Sequence, residues 1–147
     1  LNDICTEAEK HENLMLLRGA SATQTDMSAF RENICEAAKT VAENINAKAI
    51  IAESKTGAVA RAMARCRPRC PIIAVVTGEQ VCRKLCLSWG VVPVLGEEKQ
   101  SSDEITVQAV EKALSTGIVE KGDTVVIISS NKTVPTSGTD TLNIRIV

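Results

Sequence analysis

The run Ile72-Ile73-Ala74-Val75-Val76 is apolar at every position and lies between Pro71 and Thr77-Gly78. Side chains alternate across a strand, so a strand with no polar residue leaves no face for water. Such a run belongs in a parallel sheet covered by helices on both sides. The rest of the chain supplies that setting. Further strands are expected at Lys48–Ala52, Val91–Leu95, Asp123–Ser129 and Thr141–Val147. Helical patterns lie between them at Gly57–Arg65, at Glu79–Ser88 and from Ser101 to about Ser115. Strands alternating with helices predict an α/β fold. The expected architecture is a three-layer αβα domain with a mostly parallel sheet of about five strands. A chain of 147 residues suits one domain, residues 1–147, with a real core.

Local signals sharpen this outline. One helix is expected over Asn2–Arg18, closed by Gly19. A second starts at Asp26, with Met27, Phe30, Ile34, Ala38, Val41 and Ile45 as a buried stripe at helical spacing. Ser101-Ser102-Asp103-Glu104 reads as a capping box, with Ile105, Ala109, Val110, Ala113 and Leu114 inward of it and Gly117 as the C-cap. Pro93 puts its strand near an edge, because proline cannot donate to a ladder. Along Thr141–Val147, Leu142, Ile144 and Ile146 alternate with Asn143 and Arg145. That is the pattern of a half-exposed last strand, antiparallel at the edge.

Composition excludes several function classes. The formal net charge is −1, so no broad field attracts nucleic acid or anionic membrane. The only aromatic side chains are Phe30 and Trp89, too few for a base-stacking surface. No apolar run approaches the roughly 20 residues of a membrane helix, and no signal peptide is visible. The chain begins at Leu1 rather than Met, which reads as a fragment or a processed chain. Cys5, Cys35, Cys66, Cys70, Cys82 and Cys86 fall in helical or strand-like patterns, and the expectation is reduced thiols in the cytoplasm. The pairs Cys66/Cys70 and Cys82/Cys86 invite a zinc reading. Their spacing is wider than usual, and Arg67 and Arg69 flank one pair, so small buried hydrophobes are the preferred reading. No metal ligand is assigned. His11, the single histidine, sits among Glu9, Lys10 and Glu12 on a solvated face.

One turn stands out chemically. Ser54-Lys55-Thr56-Gly57 follows a strand and opens a helix. At such a place free backbone N–H groups and the helix dipole favour an anion. Ser54 and Thr56 add hydroxyls, Lys55 adds charge, and Gly57 permits close approach. Neither the P-loop nor the dinucleotide fingerprint is present. The competing reading makes Ser54 or Thr56 an ordinary N-cap. A second candidate is the loop Asn131–Thr139, which follows the fourth strand and so emerges at the same end of a parallel sheet. No nucleophile elbow occurs, Glu97-Glu98 reads as a charged loop, and no residue is assigned a catalytic role.

Five stretches together resemble the C-terminal domain of pyruvate kinase. They are ICTEAE from Ile4, ESKTGAVARAMARCRPRCPIIAV from Glu53, WGVVPVL from Trp89, KGDTVVI from Lys121 and SGTDTLNIRIV from Ser137. The resemblance implies an effector-binding and oligomerisation domain. By residue match, Ser54, Lys55, Thr56 and Gly57 would cradle a phosphate of a phosphorylated sugar effector, and Ser137 and Gly138 would help cover it. Val59 stands where the family commonly carries Ser or Thr. The family's chemistry, phosphoryl transfer from phosphoenolpyruvate to ADP, occurs in a (β/α)₈ barrel of about 250 residues. That barrel would hold the implied Mg²⁺ and K⁺, so no cofactor is expected in this chain and it is expected to be catalytically silent alone. The implied partners are the barrel of the same protein and, through the last strand, further copies in a tetramer. No nucleic acid or membrane partner is expected. The alternatives are a free-standing small-anion-binding domain and a purely structural α/β module.

Overall fold

The computed structural model of the chain describes residues 27–99, 101–129 and 141–147. The helix expected over Asn2–Arg18, with Cys5 and His11, lies outside the described residues. So does the loop Asn131–Thr139, including Ser137 and Gly138.

The described elements run α1 (Met27–Asn44), β1 (Ala49–Glu53), α2 (Ala58–Cys66), β2 (Ile72–Val76), α3 (Glu79–Leu85), β3 (Val91–Leu95), α4 (Ser102–Ser115), β4 (Thr124–Ser129) and β5 (Thr141–Ile146). The strands form one five-stranded sheet in the order β3-β2-β1-β4-β5. β1 pairs in parallel with β2 and β4, and β2 pairs in parallel with β3. β5 runs antiparallel to β4, with Ile128 opposite Leu142 and Val126 opposite Ile144. β3 is an edge strand, so the missing N–H of Pro93 costs little there.

The strands that read as wholly apolar are buried on both faces. One face carries Ile50, Ala52, Ile72, Ala74, Val76, Val126 and Ile128, packed under α1, α2 and α3. The other carries Ala49, Ile51, Ile73, Val75, Val125 and Ile127, covered by Ala109 and Ala113 of α4. This is a three-layer α/β domain. With so few aromatics, the core is filled by aliphatic side chains from the sheet and small residues from the helices.

The apolar stripe of α1 is as expected at Ala38, Ile34 and Val41 and departs from expectation at Phe30 and Ile45. Cys35, Ala38 and Ala42 are buried, Ile34 and Val41 flank them, and Phe30 stays 62% exposed. The helix approaches the sheet along its smallest residues, which allows the closest backbone contact and leaves Phe30 at the rim. Ile45 is exposed because the helix has already stopped. Asn46 takes a left-handed φ of 51°, and the Ala47 N–H donates to the Ala42 carbonyl at 2.8 Å. This is a Schellman closure, with Asn in the position glycine usually holds.

α3 is also shorter than expected, ending at Leu85 rather than Ser88. The N–H groups of Leu87 and Ser88 donate three residues back, to Lys84 and Leu85, which tightens and closes the helix. In α4 Ser101 is the N-cap as expected, but its hydroxyl accepts from the Asp103 N–H at 3.2 Å, the N2 amide rather than the N3 amide of a capping box. Gln108 is buried on the same helix, a polar residue the apolar pattern did not single out. No helix among the described residues is long and apolar enough to cross a membrane.

Candidate anion site at the sheet's carboxyl edge

Strand order identifies where a ligand would bind. From β1 the chain moves outward through β2 to β3, then returns to add β4 on the other side of β1. The carboxyl ends of β1 and β4 therefore flank a topological switch point, the usual ligand crevice of open α/β sheets. Ser54 follows β1 and Ser129 ends β4. Both are more than nine-tenths buried, at 8% and 6% exposure. Ser129 was not identifiable from local sequence, because only the β1–β4 pairing brings it beside the turn.

The turn itself is built as an opening rather than a closed cap. The Ser54 N–H extends the sheet by donating to the Val75 carbonyl at 3.1 Å. Lys55 and Thr56 are exposed, and Gly57 is the N-cap of α2, with φ 71° and no side-chain cap. The expected alternative, capping of α2 by Ser54 or Thr56, is thus corrected. The cap position must adopt a left-handed φ next to Val81 and Leu85, which leaves room only for glycine. With no side chain capping them, the first-turn amides of α2 remain available to an anion.

Two cations border this opening. Arg61 donates to the Thr56 carbonyl at 3.1 Å, laying its guanidinium along the turn. Its position four residues after Gly57 was the available sequence signal. Lys55 pairs with Glu98, from the loop after β3. The hydrogen bond to Glu98, reinforced by that carboxylate's charge, raises the Lys55 pKa above its ordinary value. Glu97 and Lys99 form a second pair at 2.9 Å, which lowers the Glu97 pKa. Val59 points into the core, 5% exposed, so its side chain contributes nothing to the opening.

Other chemistry finds less support. Burial pushes the Cys35 thiol up to about 12 and the Cys66 thiol up to about 11, which keeps both protonated and unreactive. Among the described residues no group of three or more His, Cys, Asp or Glu side chains is placed to hold a metal ion. A cavity of about 190 Å³, lined by Ala42, Glu43, Asn46, Ala47, Arg69 and Cys70, lies at the opposite, amino edge of the sheet.

Residues 32–145 match the family described as the alpha/beta domain of pyruvate kinase. The chain belongs to that family. It is 41% identical to a pyruvate kinase of Clostridium acetobutylicum over 108 residues, 74% of this chain and 23% of that protein. It is 41% identical to one of Sporosarcina psychrophila over 111 residues, 76% of this chain and 19% of that protein. A pyruvate kinase of Lactococcus lactis subsp. lactis is 35% identical over 122 residues, 83% of this chain and 24% of that protein. The pyruvate kinase alpha/beta domain thus spans less than a quarter of the length of these relatives. The match extends across all five strands except the last residue of β5.

Proposed function

We propose that this chain is the regulatory and assembly domain of a pyruvate kinase, acting in the cytoplasm on glycolytic flux. The parent enzyme would transfer a phosphoryl group from phosphoenolpyruvate to ADP in a separate barrel, with Mg²⁺ and K⁺ held there. This domain would sense a phosphorylated sugar and transmit its binding to the rest of the assembly. The observation that carries the reading is the start of α2 at Gly57, which no side chain caps, at the carboxyl end of β1 beside β4. Ser54, Lys55, Thr56 and Gly57 would hold the phosphate, and Ser137 and Gly138 would close over it.

The test is calorimetric titration of the protein with fructose 1,6-bisphosphate. Lys55→Ala combined with Thr56→Ala is expected to weaken binding about tenfold or more, since it removes a charged and a neutral donor. Equal isotherms for wild type and double variant, or no binding by wild type, would rule the turn out as an effector site.

Assembly is proposed to use β5. Among the described residues it is one of the sheet's two edge strands, and Ile146 on it is 76% exposed. An edge strand with an exposed apolar side chain favours a second copy. Ile146→Lys is expected to shift the protein toward smaller species in light scattering, with its thermal unfolding unchanged. An unaltered mass distribution would exclude β5 from the interface.

A further inference from the structure

The loop after β3 is held over the turn by buried contacts. The Gly96 N–H donates to the Val76 carbonyl at 2.8 Å, and the Glu97 N–H donates to Gln108 Oε1 at 3.1 Å. Gln108 is 8% exposed. A side chain at Gly96 would come within 2.5 Å of Gln108 Oε1 and 2.6 Å of Val75 Cγ1. The backbone at Gly96 and Glu97 is therefore fixed against β2 and α4. From that anchor Glu98 crosses the end of β2 and accepts a hydrogen bond from Lys55.

We propose that Glu98 is an internal competitor for anions at the turn, and that Lys55 exchanges it for the ligand phosphate. The proposal rests on the reading of Ser54–Gly57 as a phosphate turn. The chemistry is direct. A carboxylate and a phosphate both seek the Lys55 ammonium, and two anions at one ammonium repel each other. Binding must release Glu98, and by linkage Glu98 must weaken binding by the same free energy. Release detaches the Glu98 side chain from the turn, while Gly96 and Glu97 stay anchored to β2 and α4. Gln108 is a positioning residue in this scheme, acting through Glu97 and Glu98. The device also sets a threshold. It discriminates against weak, singly charged anions and yields to a phosphate that gains the α2 amides as well.

The size of the effect follows from exposure. Both partners are more than half exposed, at 55% and 59%, so the pair is screened. Glu98→Gln is expected to tighten inorganic phosphate by about threefold to fivefold, the range an exposed pair can supply. The readout is the NMR shift of the Ala58, Val59 and Ala60 amides during phosphate titration of the protein. Glu97→Gln serves as the control, because Glu97 pairs with Lys99 instead. In a Lys55→Met background the gain from Glu98→Gln is expected to shrink. If phosphate binds wild type and Glu98→Gln equally, or if Glu97→Gln gives the same gain, Glu98 is not a competitor, while the phosphate turn stands. If phosphate shifts none of these amides in wild type or in Glu98→Gln, the turn itself is not an anion site and both readings fall. Glu98 is exposed and outside every helix and strand, so thermal unfolding of its variants should match wild type.

Discussion

Gly57→Ala is expected to lower the unfolding free energy by about 3 kcal/mol, from two separable costs. The first is backbone. At φ 71° an alanine sits in the left-handed region, which costs roughly 1–2 kcal/mol. The second is steric. The new methyl would lie 2.9 Å from Val81 Cγ1 and 3.2 Å from Leu85 Cδ1. Leu85 is fully buried and has nowhere to retreat, so overpacking adds roughly 1–3 kcal/mol. Gly90 provides the comparison inside the same molecule. It has φ 65° and open space where its Cβ would stand, so Gly90→Ala carries the backbone cost alone. Urea denaturation should place Gly57→Ala clearly below Gly90→Ala, with similar m-values. Equal losses would mean that α3 does not pack against the turn. The site should suffer with the fold. A shift of α3 away from Gly57 moves the first turn of α2, and phosphate affinity should fall with it.

The sheet was legible in the sequence because its signal is local. Ile72–Val76 and Val91–Leu95 have the expected boundaries, since an apolar run bounded by Pro, Gly or Thr permits few other interpretations. Helix faces were less legible. Periodicity located α1 and the buried Ala38 but also favoured Phe30 and Ile45, whereas close packing selected Cys35 and Ala42. Nor did periodicity reveal that Asn46 would accept a left-handed φ and end the stripe before Ile45. The turn at Ser54–Gly57 was visible because strand, small polar residues and helix follow one another directly. Its neighbours were not. Glu98 lies 43 residues from Lys55, and Ser129 lies farther still. Only strand order decides which loops meet, and that order depends on the whole sheet. In sequence Glu97-Glu98 therefore reads as a charged loop, and only the placement of β3 and β1 on either side of β2 brings it to the turn.

The domain should lose stability steeply above pH 9, and Cys35 should be a main cause. Its thiol is fully buried on α1, and its sulfur donates to the Val59 carbonyl at 4.0 Å, tying α1 to the start of α2. Burial is the first reason its pKa rises from 9.0 to about 12, and the neighbouring Cys66 is the second. In the unfolded chain the same thiol ionises near 9. Between these values the native state retains a proton that the unfolded state has released. Unfolding is then favoured by each increase in pH, with a slope of about 1.4 kcal/mol per unit for one proton. The contribution is whole below pH 9 and is lost as pH climbs toward 12. Cys66, raised to about 11 by burial and then by Glu36, acts in the same direction over a narrower window. Denaturation at pH 8, 9, 10 and 11 measures the slope, and Cys35→Ala isolates one proton of it. Wild type should lose more stability than Cys35→Ala between pH 9 and 11. Parallel curves would mean that Cys35 ionises freely in the native state. Alkylation gives an independent reading of the same property. At pH 8 the exposed Cys86 should react promptly with iodoacetamide, while Cys35 should be labelled only when the domain opens. A rapidly labelled Cys35 would mean that α1 does not hold its place over the sheet, and the first turn of α2 would then lack the support the proposed anion site requires.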